Sequence, residues 1–160
     1  MPASTLKPGY YRITSRAFNK SIGRAIPEDR SLAPKKIVSH KDDSIDAEAV
    51  RWKLSAGSSD GKYKLEVLGA PIYEERGQIF AALLPGSQAE EWTIQARDYQ
   101  GKNTYTIVKS NRLLNQGWIL TGEEAQVQNR VLVSTPTLPP VFASHQLWVI
   151  VPYPGDDDSE

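Results

Sequence analysis

Bulky and polar residues along this chain alternate in short runs that open on an aromatic ring. Three runs open on tyrosine: Tyr11-Arg12-Ile13, Tyr63-Lys64-Leu65-Glu66-Val67 and Tyr105-Thr106-Ile107. Three answer them from tryptophan: Trp52-Lys53-Leu54, Trp92-Thr93-Ile94 and Trp148-Val149-Ile150. In each, alternate side chains are of buried type, the two-residue period of a strand with one wet face. The two patterns are in phase, with Tyr63 eleven residues after Trp52 and Tyr105 thirteen after Trp92. The segments between them, Ser55-Ala56-Gly57-Ser58-Ser59-Asp60-Gly61-Lys62 and Ala96-Arg97-Asp98-Tyr99-Gln100-Gly101-Lys102, are rich in turn formers, so each junction predicts a hairpin.

Further short strands are expected at residues 21–26 and 35–39, 70–73 and 78–84, and 117–121 and 127–134. That gives four strands per unit and about twelve in all. No window of a dozen residues sustains a helical apolar spacing with caps. Three units fall below the ~4–8 blades of a propeller, so closure must come another way. Three four-stranded units around a shared barrel make an all-β fold, the β-trefoil. The repeated Tyr and Trp residues are its expected core, each burying roughly 150–250 Å² with the polar tip finding a partner.

Composition narrows the function classes. A chain of 160 residues fits one domain, expected at 1–155, with the acidic residues 156–160 as a disordered tail. There is no cysteine, so neither disulfides nor thiolate metal sites contribute, which favours a reducing compartment. No signal-like run opens the chain and none approaches the ~18 apolar residues of a membrane span, so the expectation is a cytoplasmic protein without a membrane partner. Nineteen basic residues balance nineteen acidic ones, and the footprint that nucleic acid demands is missing.

Catalytic constellations are equally scarce. Gly57-Ser58-Ser59-Asp60-Gly61 matches a nucleophile-elbow pattern, but it lies between two strands with no helix after it, where a hairpin turn accounts for it. His40 and His145 are the only imidazoles, in no spacing that suggests a triad or a metal site. We therefore expect no enzyme, no catalytic residue, no metal and no cofactor. Asn19-Lys20-Ser21 fits a glycosylation sequon and reads as a loop between the first two strands. Gln146-Leu147-Trp148 matches the Q-x-W element of ricin-type trefoil lectins, yet Val50-Arg51-Trp52 and Glu90-Glu91-Trp92 lack it, so a lectin is the alternative rather than the leading reading.

The connection from Arg24 to Lys36 differs in kind, being polar and charged with Pro27 and Pro34 fixing φ near its ends. Tyr10-Tyr11-Arg12-Ile13, then Asn19-Lys20-Ser21-Ile22-Gly23-Arg24 and Glu28-Asp29-Arg30-Ser31-Leu32-Ala33-Pro34-Lys35-Lys36, with Gln146-Leu147-Trp148-Val149-Ile150 at the close, resembles the mushroom β-trefoil serine protease inhibitors of the cospin and cnispin type. The resemblance implies a cofactor-free, monomeric inhibitor of trypsin-like serine proteases with a defensive role in a fungus. It also implies a protease-binding loop formed by Arg24, Ala25, Ile26, Pro27, Glu28, Asp29, Arg30, Ser31 and Leu32. A trypsin-type pocket floored by aspartate makes Arg30 the natural contact residue, although Glu28 and Asp29 precede it. Arg24 stands before the small Ala25, and Ala25, Ile26 or Pro27 also remain candidates. Should the site lie elsewhere, residues 134–144 in the third unit come next.

Overall fold

The computed structural model describes residues 6–24, 31–40, 47–84, 86, 90–109, 115–123 and 125–153. Among them are twelve strands: β1 (Gly9–Ser15), β2 (Ile22–Arg24), β3 (Lys35–Ser39), β4 (Trp52–Ala56), β5 (Lys62–Val67), β6 (Ala70–Glu75), β7 (Gln78–Ala81), β8 (Glu91–Ala96), β9 (Thr104–Lys109), β10 (Gln116–Ile119), β11 (Gln128–Val131) and β12 (Trp148–Pro152). Six of these close a ring of antiparallel pairs, β1 to β4, β5, β8, β9, β12 and back to β1. The other six form three hairpins, β2–β3, β6–β7 and β10–β11, joined to one another through β7 and through a bridge between Val38 and Gln126. This is the β-trefoil.

The repeat is visible residue by residue in the register. Tyr11 faces Trp52, Tyr63 faces Trp92 and Tyr105 faces Trp148 across the three barrel junctions. Likewise Leu54 faces Leu65, Ile94 faces Ile107 and Ile13 faces Ile150 in the other three barrel pairs. All these side chains are buried, because one face of every strand carries the bulky residue and the ring can close only with that face inward. The tyrosine hydroxyls of the first two units donate to Lys7 O (2.7 Å) and Leu6 O (2.8 Å), which seats the N-terminal segment against the barrel.

A fourth buried tryptophan lies outside the repeated set. Trp118 on β10 stands where the first two units place Ile22 and Ile72, and its ring contacts all three repeat tryptophans. Its centroid lies 5.6 Å from Trp52, 5.3 Å from Trp92 and 6.2 Å from Trp148, the last two edge to face. The indole N–H of Trp52 donates to Ile22 O and that of Trp148 to Trp118 O, whereas the indole N–H groups of Trp92 and Trp118 are buried without a partner, so this hydrogen bond repeats in two of the three units and not every polar tip is satisfied as expected. Edge-to-face pairs of this kind add roughly 0.5–1.5 kcal/mol each beyond area burial.

Several expected strands are shorter or longer than read from the sequence. β7 stops at Ala81 rather than at residue 84, because Leu83 and Leu84 turn off the sheet. β11 stops at Val131 rather than at 134, since the Val133 backbone is taken by a side-chain amide instead of a neighbouring strand. β6 runs on to Glu75, where it pairs with Gln78. The second junction contains a short 3-10 turn, Asp98–Gln100. Expected strand residues 25 and 26 lie outside the described residues, as do 154–160, which include the acidic tail.

Candidate functional site

The connection between β2 and β3 leaves the cap at Arg24 and returns at Lys35. Its entry is fixed tightly. Gly23 lies so close to the Ala49 carbonyl that a Cβ there would sit 1.9 Å from the oxygen, so only glycine lets β2 pass. Arg24 is only 7% exposed and reaches Val67 O with Nη1 at 3.4 Å. His40, at the far end of β3, donates its backbone N–H to Ser21 O, and its Nε2 lies 2.8 Å from Arg24 O. A carbonyl can only accept, so Nε2 carries the proton. Burial pushes the His40 pKa down, partly offset by the Arg24 carbonyl.

The exit is held by Ser31 and Lys35. The Ser31 hydroxyl accepts the Ala33 N–H at 3.2 Å and lies 3.4 Å from the buried Lys35 ammonium. Leu32 is exposed and, with Pro34, borders a cleft of about 360 Å³ whose other walls are Tyr73, Leu83, Leu84 and Glu90. Behind that wall Lys109 Nζ reaches Glu74 at 2.6 Å and Glu90 at 3.6 Å, while Glu74 and Glu90 also accept the backbone N–H groups of Gly77 and Glu74. Burial opposes charge on Glu74, but the Lys109 hydrogen bond, the Gly77 N–H and the cations Lys109 and Arg130 together hold its carboxyl below the usual range.

Of the loop residues expected to meet a protease, the structure thus places Arg24, Ser31 and Leu32. Ala25, Ile26, Pro27, Glu28, Asp29 and Arg30 lie outside the described residues. Arg24 belongs to the stem, with its side chain packed against the barrel rather than displayed.

The remaining motifs take structural places. Ser58 donates through its backbone N–H and its hydroxyl to the Glu91 carboxylate, and Gly57 N–H bonds Lys62 O, so the elbow-like pattern is the β4–β5 turn. Gln146, the glutamine of the single Q-x-W, spends its amide on both backbone groups of Val133. His145 is exposed. Among the described residues no three His, Asp or Glu side chains gather as metal ligands, and no helix is long and apolar enough to cross a membrane.

The model of the family described as Peptidase inhibitor I66 matches residues 4–152. The chain belongs to this family. A serine protease inhibitor of Lentinula edodes is 31% identical over 148 residues, covering 92% of this chain and 98% of its own. Among solved structures, a proteinase inhibitor from Coprinopsis cinerea is 29% identical, covers 92% of this chain and 99% of its own, and superposes with a TM-score of 0.82. A designed threefold-symmetric protein, ThreeFoil, at 18% identity and TM-score 0.63 over 89% of this chain and 98% of its own, shares the fold alone. The same holds for the ricin B-like lectin of Macrolepiota procera in complex with lactose, at 17% identity and TM-score 0.66 over 93% of this chain and 99% of its own. The protein is accordingly a serine protease inhibitor and not an enzyme.

Two parts of the inhibitor were not legible locally. His40 reads in the sequence as a lone imidazole, and only the fold brings it sixteen residues back to the loop stem. Trp118 is visible as a fourth tryptophan, yet nothing in its neighbourhood marks it as the meeting point of the other three.

Proposed function

We propose that the inhibitor is directed at trypsin-like serine proteases and enters their cleft with residues 25–32. The observation that carries this reading is the anchoring of both stems by buried polar side chains, Arg24 and His40 at the entry and Lys35 at the exit. A loop tied at both ends has less freedom to lose on binding, the main cost a substrate-like inhibitor must reduce. With Arg24 committed to the stem, Arg30 is the basic residue left to meet an aspartate-floored pocket. The inhibitor works as a monomer, one chain per protease through this loop, and resides in the cytoplasm of a fungus as a defence.

Titrating trypsin with the protein tests this, alongside a variant carrying a short Gly-Ser turn in place of residues 25–30. The wild type should inhibit stoichiometrically and the variant, still folded, should not. Full trypsin inhibition by the folded variant would remove the loop from the mechanism.

A further inference from the structure

Each barrel junction turns a row of side chains outward, and the threefold repeat lets the rows be compared. In the first, Tyr10 on β1 pairs with Lys53 on β4, and Lys53 pairs with Glu66 on β5. The equivalent rows are Lys62, Thr93 and Val108, then Thr104, Val149 and Thr14. Threonine and valine fill the second and third places of both, so the sheet requires neither an ammonium at Lys53 nor a carboxylate at Glu66.

The first row borders a hollow of about 380 Å³ lined by Tyr10, Arg51, Lys53, Glu66, Leu68 and Gly69. The Arg51 guanidinium lies 3.7 Å from the centre of the Tyr10 ring, a cation–π contact that fixes its position beside the hollow. Lys53 and Glu66 stand directly opposite each other, yet among the described residues neither enters an ion pair. The rim is a two-residue turn, Leu68-Gly69, between the paired Val67 and Ala70, with φ of 53° and 78°. Such turns favour Asn-Gly, and leucine at positive φ is strained. The Leu68 side chain is exposed at the edge of the hollow, so core packing does not explain its place. The surrounding charge is one-sided: the outward positions of β1, β4 and β5, with Arg51 just before β4, carry Arg12, Arg51, Lys53, Lys62 and Lys64 around Glu66. In a chain of zero net charge this is a local positive face.

We propose that this hollow binds an acidic sugar, a hydroxylated ring carrying one carboxylate or phosphate, through Arg51, Lys53 and Glu66. A guanidinium held by Tyr10 and a nearby ammonium match the anionic group. The Glu66 carboxylate can only accept, which matches the hydroxyls. Leu68 supplies an apolar surface for the ring. The volume lies at the small end of the ~300–1,000 Å³ of ligand sites, room for one sugar residue and not for a protein segment. A neutral sugar would bring no charge to Arg51 and Lys53, and a bare anion would bring no donor to Glu66. The site lies apart from Gln146 and from the β2–β3 connection, so it does not rest on the trypsin reading.

The test follows backbone amide resonances of the full chain during titration with glucuronate, glucose 6-phosphate, glucose and inorganic phosphate. An acidic sugar should move Lys53, Glu66, Leu68 and Gly69 saturably with a Kd of ~1 mM, and glucose and inorganic phosphate should not. Lys53→Thr and Glu66→Val install side chains that the second unit carries at Thr93 and Val108. Each should weaken binding at least tenfold while the melting temperature and any trypsin inhibition stay unchanged. Leu68→Asn should relieve the turn, raising the melting temperature while weakening the sugar. Immobilised glycans ending in glucuronate separate the sources: retention on them supports a glycan ligand, and binding of the free compounds alone supports a small soluble one. No saturable shift with either acidic sugar by ~10 mM overturns the proposal. An equal response to inorganic phosphate, which marks an adventitious ion only, overturns it too. So does an equal response to glucose, or binding indifferent to Lys53→Thr and Glu66→Val.

Discussion

The β2–β3 and β11–β12 connections are held in place by different chemistry. The first is charged, and its stems are held by the buried polar side chains Arg24, His40 and Lys35. The second is uncharged, and neutral amides and hydroxyls hold it along its whole length. A buried ion must be desolvated and stabilises only when fully paired, whereas a neutral amide matched to both backbone groups of a residue costs far less to bury.

Both connections hang from one core, and breaking that core should erase the contrast. Trp118→Ala removes the ring that touches all three repeat tryptophans, and truncations of this kind cost ~3–5 kcal/mol. Urea unfolding should show that loss, and protease inhibition should weaken near the lowered unfolding midpoint. A stability change under about 1 kcal/mol would show that Trp118 does not tie the units.

A finer cut separates the residues of the first loop. Arg30→Ala should weaken trypsin binding by ~2 kcal/mol, about thirtyfold. Arg24→Ala should instead act mainly on stability, because its buried guanidinium lies against Val67 O. Inhibition constants and melting temperatures measured on both variants would reverse the assignment if the two effects exchanged places.

The amide clamps give a smaller effect confined to the second loop. Gln146→Ala deletes two hydrogen bonds to Val133, a loss of ~1–2 kcal/mol in stability. Hydrogen exchange at Val133 and Thr135 should quicken while the β2 and β3 amides keep their protection. Equal loss of protection in both loops would mean that the clamp belongs to the global core.

The smallest contrast is in pH. Because burial lowers the His40 pKa in the folded state, unfolding takes up a proton below the ordinary imidazole value near 6.5. Stability from the neutral imidazole is therefore present above that pH and is lost as pH falls through the folded value. His40→Gln, which keeps an N–H donor and cannot titrate, should flatten this dependence. An unchanged pH profile in the variant would assign the acid sensitivity to other groups.

How much of this was legible in the sequence follows from the range of each interaction. The Tyr and Trp runs recur three times with a two-residue period, and that local pattern suffices to set the six barrel strands, three units and an aromatic core. The β2–β3 connection was also legible, as a charged insertion between two strands. Gln146 was conspicuous for another reason, its place in a Q-x-W, while its partner Val133 lies thirteen residues away. Gln100 meets Phe142 across forty-two residues, and neither carries a local mark of the other. Side-chain hydrogen bonds to distant backbone leave no periodicity, so only closure of the barrel brings donor to acceptor. The same reason hides Trp118, which one strand alone could place on an inward face. That it meets Trp52, Trp92 and Trp148 depends on three units folding around it.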